Sequence, residues 1–337
     1  MSPTWTRAVR FLAREDGKTY YGDVQQPGDI GLLAHSGAHL TARVLSGSPL
    51  LPSTVPTSRT LTIAKLLSPL APSEITAIRG LGLQYPFPGA DSKPVAPSVA
   101  CLFFKPSTSV AGPGDEIIIP ECARGEKNDY EVELCAVLGA DCPPNVAEED
   151  AIKYIAGYCV VNDVSSRGLC AKAGGGQWGM GKAYDTWCPI GPALIHPSAL
   201  GKDPHSLRIS THINGKLAQE GNTRDLIVKL PKLIADLSRG ATLAAGSLIL
   251  TGSPIAVARK APGDVAAASP FMNDGDEVRC YVEGCGAFAA ASSWGVDAEP
   301  NTEEKAGADD DAVRCAGTLI NTVRDEKPMT RVYKAKL

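Results

Sequence analysis

The chain has 337 residues, with 33 basic and 37 acidic side chains and a net charge of −4. This balance excludes the strongly basic surface that nucleic acids and anionic membranes bind. Apolar residues make up 44% of the chain, enough for a sizeable core, whereas only 6% are aromatic. The most lipophilic window, residues 240–258, is interrupted by glycine, serine and proline, so we expect no membrane-spanning segment.

Ten cysteines are scattered along the chain, and several lie in apolar runs that resemble strands. No pair has the C-x-x-C spacing, so a zinc site is not expected. Residues 1–14 lack the continuous apolar stretch of a secretory signal. Together these observations predict a cytoplasmic protein whose cysteines are buried, reduced thiols.

Short alternating runs of apolar and polar residues fill the first part of the chain and predict a small β-rich N-terminal domain over residues 1–70. The Asp16-Gly17 pair is typical of a β-hairpin turn. The second predicted domain, residues 71–297, contains further strand-like runs and two predicted helices, at 147–155 and 226–237. Strands with so few helices favour a mainly β or α+β fold over a parallel α/β sheet.

After Trp294 the composition changes, with acidic residues at 303–304 and 309–311. We expect residues 298–337 to form an acidic linker and a C-terminal extension. Its apolar residues Leu319, Ile320 and Val323 predict a short amphipathic element that docks on the rest of the protein.

Two carboxylates separated by one residue, Glu131 and Glu133, precede five apolar residues. Side chains at positions i and i+2 of a strand point to the same face, and burying an unpaired carboxylate is costly. Asp163 follows a second apolar run and completes a set of hard oxygen ligands, which suits Mg²⁺ or Mn²⁺ with open positions for a substrate. The alternative interpretation is that the acidic alternation forms the solvated face of a sheet.

The chain also contains several motifs in a fixed order, beginning with Gly82-Leu83-Gln84-Tyr85. The others are Phe103–Ser109, Glu131-Val132-Glu133, Asn162–Arg167, Gly181–Asp185, Gly191-Pro192, Asn214–Lys216 and Thr251–Pro254. Taken together, they resemble the fumarylacetoacetate hydrolase family over about residues 78–290. The residues before them are similar to the N-terminal domain of that family.

The resemblance implies a mixed β-sandwich roll, usually a homodimer, that acts on small 2-oxo or β-diketo acids. It implies that Glu131, Glu133 and Asp163 hold Mg²⁺ or Mn²⁺ and that Lys182 is the active-site lysine, a cation for the charge of an enolate. The positions matched to substrate contacts are Tyr85, Arg167, Gln219, Gly252 and Ser253. Orientation of the metal carboxylates or of the dimer edge remains an alternative role for Arg167. A structural amide remains an alternative role for Gln219.

The segment after Tyr85 departs from the family. Hydrolytic members carry a His and a Glu there to activate water, whereas this chain continues Pro86-Phe87-Pro88-Gly89-Ala90-Asp91. All five histidines lie elsewhere, and the prolines disfavour the short helix that presents the two residues. Gly168 and Cys170 also replace the Asp and Gln of the family, and Ala256 and Ala258 replace glycines.

These departures from the family determine how we rank the expected activities. We expect a divalent-metal-dependent enzyme that cleaves a C–C bond or tautomerises its substrate through a metal-bound enolate, with decarboxylation favoured. Hydrolysis of an acylpyruvate or of fumarylacetoacetate is the first alternative, because it needs an activated water. A non-catalytic, metal-binding family member is the second alternative.

Overall fold

The computed structural model describes residues 4–86, 96–172, 178–257, 271–285, 287–288 and 316–326. In these ranges the strands greatly outnumber the helices and form one large sheet, one five-stranded sheet and two short ribbons. The architecture confirms the predicted mainly β, α+β class. No helix within the described ranges is long and apolar enough to cross a membrane.

The strands are numbered along the chain. They are β1 (Arg7–Ala13), β2 (Thr19–Asp23), β3 (Gly28–Asp29), β4 (Thr41–Leu45), β5 (Pro56–Leu67), β6 (Ala77–Gly82), β7 (Cys101–Lys105), β8 (Val110–Ala111), β9 (Glu116–Ile119), β10 (Asn128–Asp129), β11 (Val132–Leu138), β12 (Ile155–Asn162), β13 (Ser165–Ser166), β14 (Cys188–Ile195), β15 (Arg208–Ile213), β16 (Lys216–Asn222), β17 (Ser247–Leu250), β18 (Glu277–Glu283), β19 (Ala287–Phe288) and β20 (Ala316–Asp325).

The large sheet has the strand order β2-β4-β5-β1-β14-β12-β11-β17-β6-β7, and β8 pairs with β14 outside this path. Strand β1 pairs antiparallel with both β2 and β14, so strands of the predicted N-terminal domain continue the sheet that carries the Glu-x-Glu strand β11. Strands β11 and β12 are fully or almost fully buried along their length, as expected for central strands covered on both faces. The domain boundaries themselves stay a prediction.

The second sheet has the order β16-β15-β18-β20-β9. Residues 316–325 therefore form a strand between β18 and β9, and Leu319 and Val323 are fully buried in the core. A docked element was expected there, and the structure shows an internal strand of the sheet. The acidic residues predicted as a linker lie outside the described residues.

The helices are α1 (Ile30–His35), α2 (Glu148–Ala151), α3 (Arg167–Lys172) and α4 (Leu230–Leu237). The helix predicted at 147–155 is shorter, because α2 passes into a 3-10 turn at Ile152–Tyr154. The helix predicted at 226–237 begins only at Leu230, with Pro231 in its first turn. Proline is accommodated there because the first N–H groups of a helix have no partner within the helix.

Candidate metal centre and substrate cavity

Strand pairing brings the three predicted metal ligands together. Glu133 lies on β11, opposite Val161 of β12, and Glu131 and Asp163 lie just outside the paired ends of these strands. The N–H of Asp163 donates to the carbonyl of Glu131 over 2.8 Å, which fixes the two segments side by side. One carboxylate oxygen from each of the three residues lies within 4.8 Å of the others.

Two lysines hold Asp163 between them. Lys182 Nζ lies 2.6 Å from Glu131 Oε2 and 2.5 Å from Asp163 Oδ2. Lys105 Nζ lies 2.6 Å from the other oxygen of Asp163, Oδ1, and 3.0 Å from the carbonyl of Val164. The side chains of Lys105 and Asp163 are completely buried, so the charges are stabilised by each other and by hydrogen bonds rather than by water.

Arg167 orients the first carboxylate. Its Nε donates to Asp129 over 2.7 Å, and its Nη2 donates to Glu131 Oε1. This geometry matches the alternative role considered for Arg167, in which the guanidinium orients a metal carboxylate. The same side chain also lines the cavity described below.

The electrostatic environments of the two glutamates differ. Burial opposes the charge of Glu131, but Arg167 and Lys182 outweigh burial and hold its pKa below the usual value. Burial raises the pKa of Glu133 well above its usual value, and the charges of Asp163 and Glu131 raise it further. For Lys182, burial is outweighed by Asp163 and Glu131, so its pKa is raised and the amine is a charged donor.

The balance of charges in the candidate centre is compatible with a bound divalent cation. Its described members are four carboxylates, of Asp129, Glu131, Glu133 and Asp163, and three cations, of Lys105, Arg167 and Lys182. Carboxylate oxygens are the ligands that Mg²⁺ and Mn²⁺ prefer. The carboxylates outnumber the cations by one, and the donor set fits a divalent metal ion.

A cavity of about 330 Å³ opens beside this centre and is lined by Glu131, Glu133 and Lys182. All five residues predicted to contact a substrate also line it: Tyr85, Arg167, Gln219, Gly252 and Ser253. The volume lies at the small end of the range of roughly 300–1,000 Å³ that is usual for ligand sites. The structure thus brings together all nine residues selected from the sequence.

The hydrogen bonds of these cavity residues distinguish their roles. The N–H of Gly252, one of the residues predicted to contact a substrate, donates to Glu133 over 2.6 Å. The side-chain oxygen of Gln219 accepts from the N–H of Val132 and from Thr211, and its amide donates to the carbonyl of Pro254. Both groups form hydrogen bonds to β11, the strand that carries Glu133. For Gln219 this geometry is that of the structural amide considered as its alternative role.

Tyr85 is different, because its buried hydroxyl has no hydrogen-bond partner within the described residues. Burial raises the pKa of Tyr85, and Glu133 and Asp225 raise it further, so the phenol stays protonated. A buried hydroxyl without a partner is unfavourable. A ligand in the cavity would supply the missing acceptor.

Three residues of the site were not selected from the sequence: Lys105, Phe103 and Trp178. Lys105 and Phe103 belong to a quoted motif, and both are buried on β7, where alternate residues face the protein interior. The two-residue period of this strand could have indicated that both side chains point inward. Trp178 follows a segment without a clear strand or helix pattern, so no periodicity indicated its position.

One of the positions that depart from the family, Gly168, has a local steric reason. A Cβ on Gly168 would lie 2.7 Å from the carbonyl oxygen of Glu126, so this helix start is packed too closely for a side chain. Cys170 lines the cavity where the family has a glutamine. Residues 87–91 and Ala258 lie outside the described residues.

The fold is rich in strands and places a cluster of carboxylates that could hold a metal ion beside a small cavity. The family model for the C-terminal domain of fumarylacetoacetate (FAA) hydrolase matches residues 84–291. The chain belongs to this family.

Known relatives agree with this assignment. The chain is 38% identical over 227 residues to a mitochondrial oxaloacetate tautomerase of Xenopus laevis, covering 66% of this chain and 67% of that protein. It is 33% identical over 296 residues to the caffeoylpyruvate hydrolase of Neonothopanus nambi, covering 86% and 93% of the two chains. The match to a human mitochondrial oxaloacetate tautomerase spans 58% of that protein.

A solved structure extends the similarity to nearly the whole chain. The 5-carboxymethyl-2-hydroxymuconate delta-isomerase of Mycobacterium smegmatis superposes with a TM-score of 0.69 and 25% identity, covering 95% of this chain and all of that one. The protein is therefore an enzyme of this family, with activity of the isomerase or hydrolase type on acyl or keto acids.

Proposed function

We propose that this enzyme converts a small 2-oxo acid through its enolate, with the help of Mg²⁺ or Mn²⁺ held by Glu131, Glu133 and Asp163. The observation that carries the proposal is the position of Lys182, whose ammonium lies against Glu131 and Asp163 at the edge of the cavity. A cation beside an oxygen-ligand site is what an enolising centre needs. Tautomerisation, in which the substrate loses a C–H proton, is the simplest outcome. A β-keto acid would instead lose CO₂ from its keto form and leave the enolate of the shortened acid in the same position.

The described residues support this chemistry in distinct ways. A bound metal ion would supply Lewis-acid polarisation of the carbonyl next to the substrate carboxylate. Lys182 holds a positive charge close to the oxygen on which negative charge develops, and as an ammonium it can protonate the enolate, while a water molecule takes the proton that leaves the carbon next to the carbonyl. Lys105 and Arg167 hold Asp163 and Glu131 in place.

Hydrolysis is the second candidate, favoured by the similarity to caffeoylpyruvate hydrolase. It requires a base that activates water. All five histidines lie in described ranges, and none of them lines the cavity. The absence of a histidine from the described cavity lining supports the ranking of enolisation above hydrolysis as the function of this enzyme.

We also propose a homodimer. Strand β7 forms one end of the large sheet, and its Leu102 and Phe104 are 40% and 54% exposed. An edge strand with exposed apolar side chains is a favourable site of association. A cytoplasmic location stays a prediction, since two of the relatives named above are mitochondrial.

The test compares three substrates with Mg²⁺: enolisation and CO₂ release of oxaloacetate, enolisation of phenylpyruvate, and cleavage of acetylpyruvate. We expect enolate chemistry on at least one of the first two acids and slow or absent cleavage of acetylpyruvate. Lys182→Met should lower the rate about 10²–10³-fold, as loss of an oxyanion donor does, and should retain metal binding. The exposed Lys216→Met is the matched control.

Two outcomes contradict the proposal. Fast acetylpyruvate cleavage without any enolisation of the other two acids would show that the enzyme is a hydrolase. Absence of turnover for every 2-oxo acid, together with intact Mg²⁺ binding, would instead support the non-catalytic alternative.

A further inference from the structure

Two aromatic side chains form one wall of the cavity. Phe103 of β7 and Trp178 both line the cavity, their ring centroids lie 6.1 Å apart, and their planes make an angle of 59°. We call this pair the aromatic wall. Its rings present an extended apolar surface on the side of the cavity formed by β6 and β7.

Two glycines of β6 provide the space for these rings. Gly80 and Gly82 are two positions apart on the strand and therefore point to the same face. A Cβ on Gly80 would lie 2.1 Å from the Phe103 ring, and a Cβ on Gly82 would lie 2.4 Å from the Trp178 ring. Both distances are far below a van der Waals contact, so each ring rests directly on the backbone of β6.

The aromatic wall adjoins the polar end of the cavity. Lys182 Nζ lies 4.1 Å from the centroid of the Phe103 ring, within the range of a cation–π contact. A molecule whose reacting carbon lies near Lys182 therefore has the rings of the aromatic wall within reach of its next few atoms. The cavity has a charged end and an apolar, aromatic end.

The described residues that line the cavity offer no unpaired cation to a second charged group of a substrate. The cations among its described lining residues are Arg167 and Lys182, and both are already paired with carboxylates. A second carboxylate placed against aromatic rings would lose its hydration without gaining a partner. An aryl or conjugated group would bury apolar surface there instead.

We propose that the aromatic wall selects 2-oxo acids that carry an aryl or conjugated apolar substituent over dicarboxylates such as oxaloacetate. This inference rests on the proposed function for the reaction at the polar end. The substrate carboxylate and carbonyl lie at the carboxylate centre, and the planar substituent lies against Phe103 and Trp178. Gly80 and Gly82 are positioning residues for the two rings.

The experiment measures kcat/KM for enolisation of phenylpyruvate, pyruvate and oxaloacetate with Mg²⁺, and binding of the same acids by calorimetry. We expect a preference for phenylpyruvate of about tenfold or more, the scale on which apolar pockets discriminate. Trp178→Ala should lower kcat/KM for phenylpyruvate about tenfold or more and leave that for pyruvate nearly unchanged. Trp178→Phe should restore most of the loss.

Gly82→Ala is an independent variant, because its new methyl group displaces the Trp178 ring without removing it. It should reduce the preference for phenylpyruvate in the same direction. Leu217→Ala, at an exposed apolar residue outside the cavity, is the control and should change neither value.

The outcomes separate this inference from the proposed function. Tighter binding of phenylpyruvate than of oxaloacetate, without turnover, would support the aromatic wall and contradict the enolisation. Two results would overturn the inference and leave the proposed function intact. The first is turnover with a higher kcat/KM for oxaloacetate than for phenylpyruvate. The second is an equal loss of kcat/KM for phenylpyruvate and pyruvate in Trp178→Ala. Failure of every acid to bind would overturn both.

Discussion

Replacement of Lys105 tests how burial affects the ion pairs of the candidate metal centre. The chain also contains an ion pair of the same length at its surface, which serves for comparison. Lys105 and Asp163 lie 2.6 Å apart with both side chains completely buried. Lys65 and Asp115 also lie 2.6 Å apart, but their side chains are 50% and 33% exposed. The two pairs have the same distance and differ in their access to water.

We expect Lys105→Met to lower the free energy of unfolding by about 3 kcal/mol, since removal of one partner of a buried pair costs roughly 3–5 kcal/mol. The lower part of the range applies because Lys182 still donates to the other oxygen of Asp163. Lys65→Met should cost about 0–1 kcal/mol, because water solvates the remaining aspartate. Methionine keeps the length of the lysine stem, so little packing is lost.

The assay is urea unfolding of wild type and both variants in the presence of a chelator, so that binding of divalent ions adds nothing to the measured stability. The midpoint should shift strongly for Lys105→Met and little for Lys65→Met, with unchanged slopes. Equal shifts for the two variants would refute the reasoning, because they would mean that burial does not determine the strength of the pair.

Three further predictions concern the metal, the pH dependence and the assembly. Glu133→Ala should abolish Mg²⁺ and Mn²⁺ binding in calorimetry together with activity, whereas the exposed Glu148→Ala should change neither. His205 Nε2 accepts from the N–H of Leu230 at the start of α4, and burial lowers its pKa, with Asp203 opposing. The unfolded chain therefore binds this proton more readily, and about 1 kcal/mol of stability should be present above the ordinary pKa and be lost as the pH falls through the lower, folded value. His205→Gln should flatten this dependence in unfolding experiments, and an unchanged pH profile would contradict it. Light scattering at micromolar concentration should give twice the chain mass of 35.2 kDa, and the mass of a single chain would exclude the homodimer.

The sequence alone determined the class of fold and the carboxylates of the candidate metal centre. Glu131 and Glu133 could be recognised because a strand repeats every two residues, and because two carboxylates entering an apolar run need a charged partner. The ordered motifs then indicated the family, and Lys182 with it. These features depend on residues close together in the chain or on their order.

The tertiary structure decided which groups face one another across the site. Lys105 meets Asp163 from a position 58 residues earlier, and Gly252 meets Glu133 from a position 119 residues later. No local periodicity encodes such contacts, because strand order is set by the packing of the whole sheet. The same holds for the last described strand, β20, which looked like an appended segment and lies inside a sheet. It holds as well for the aromatic wall, where glycines of one strand make room for rings from two other segments.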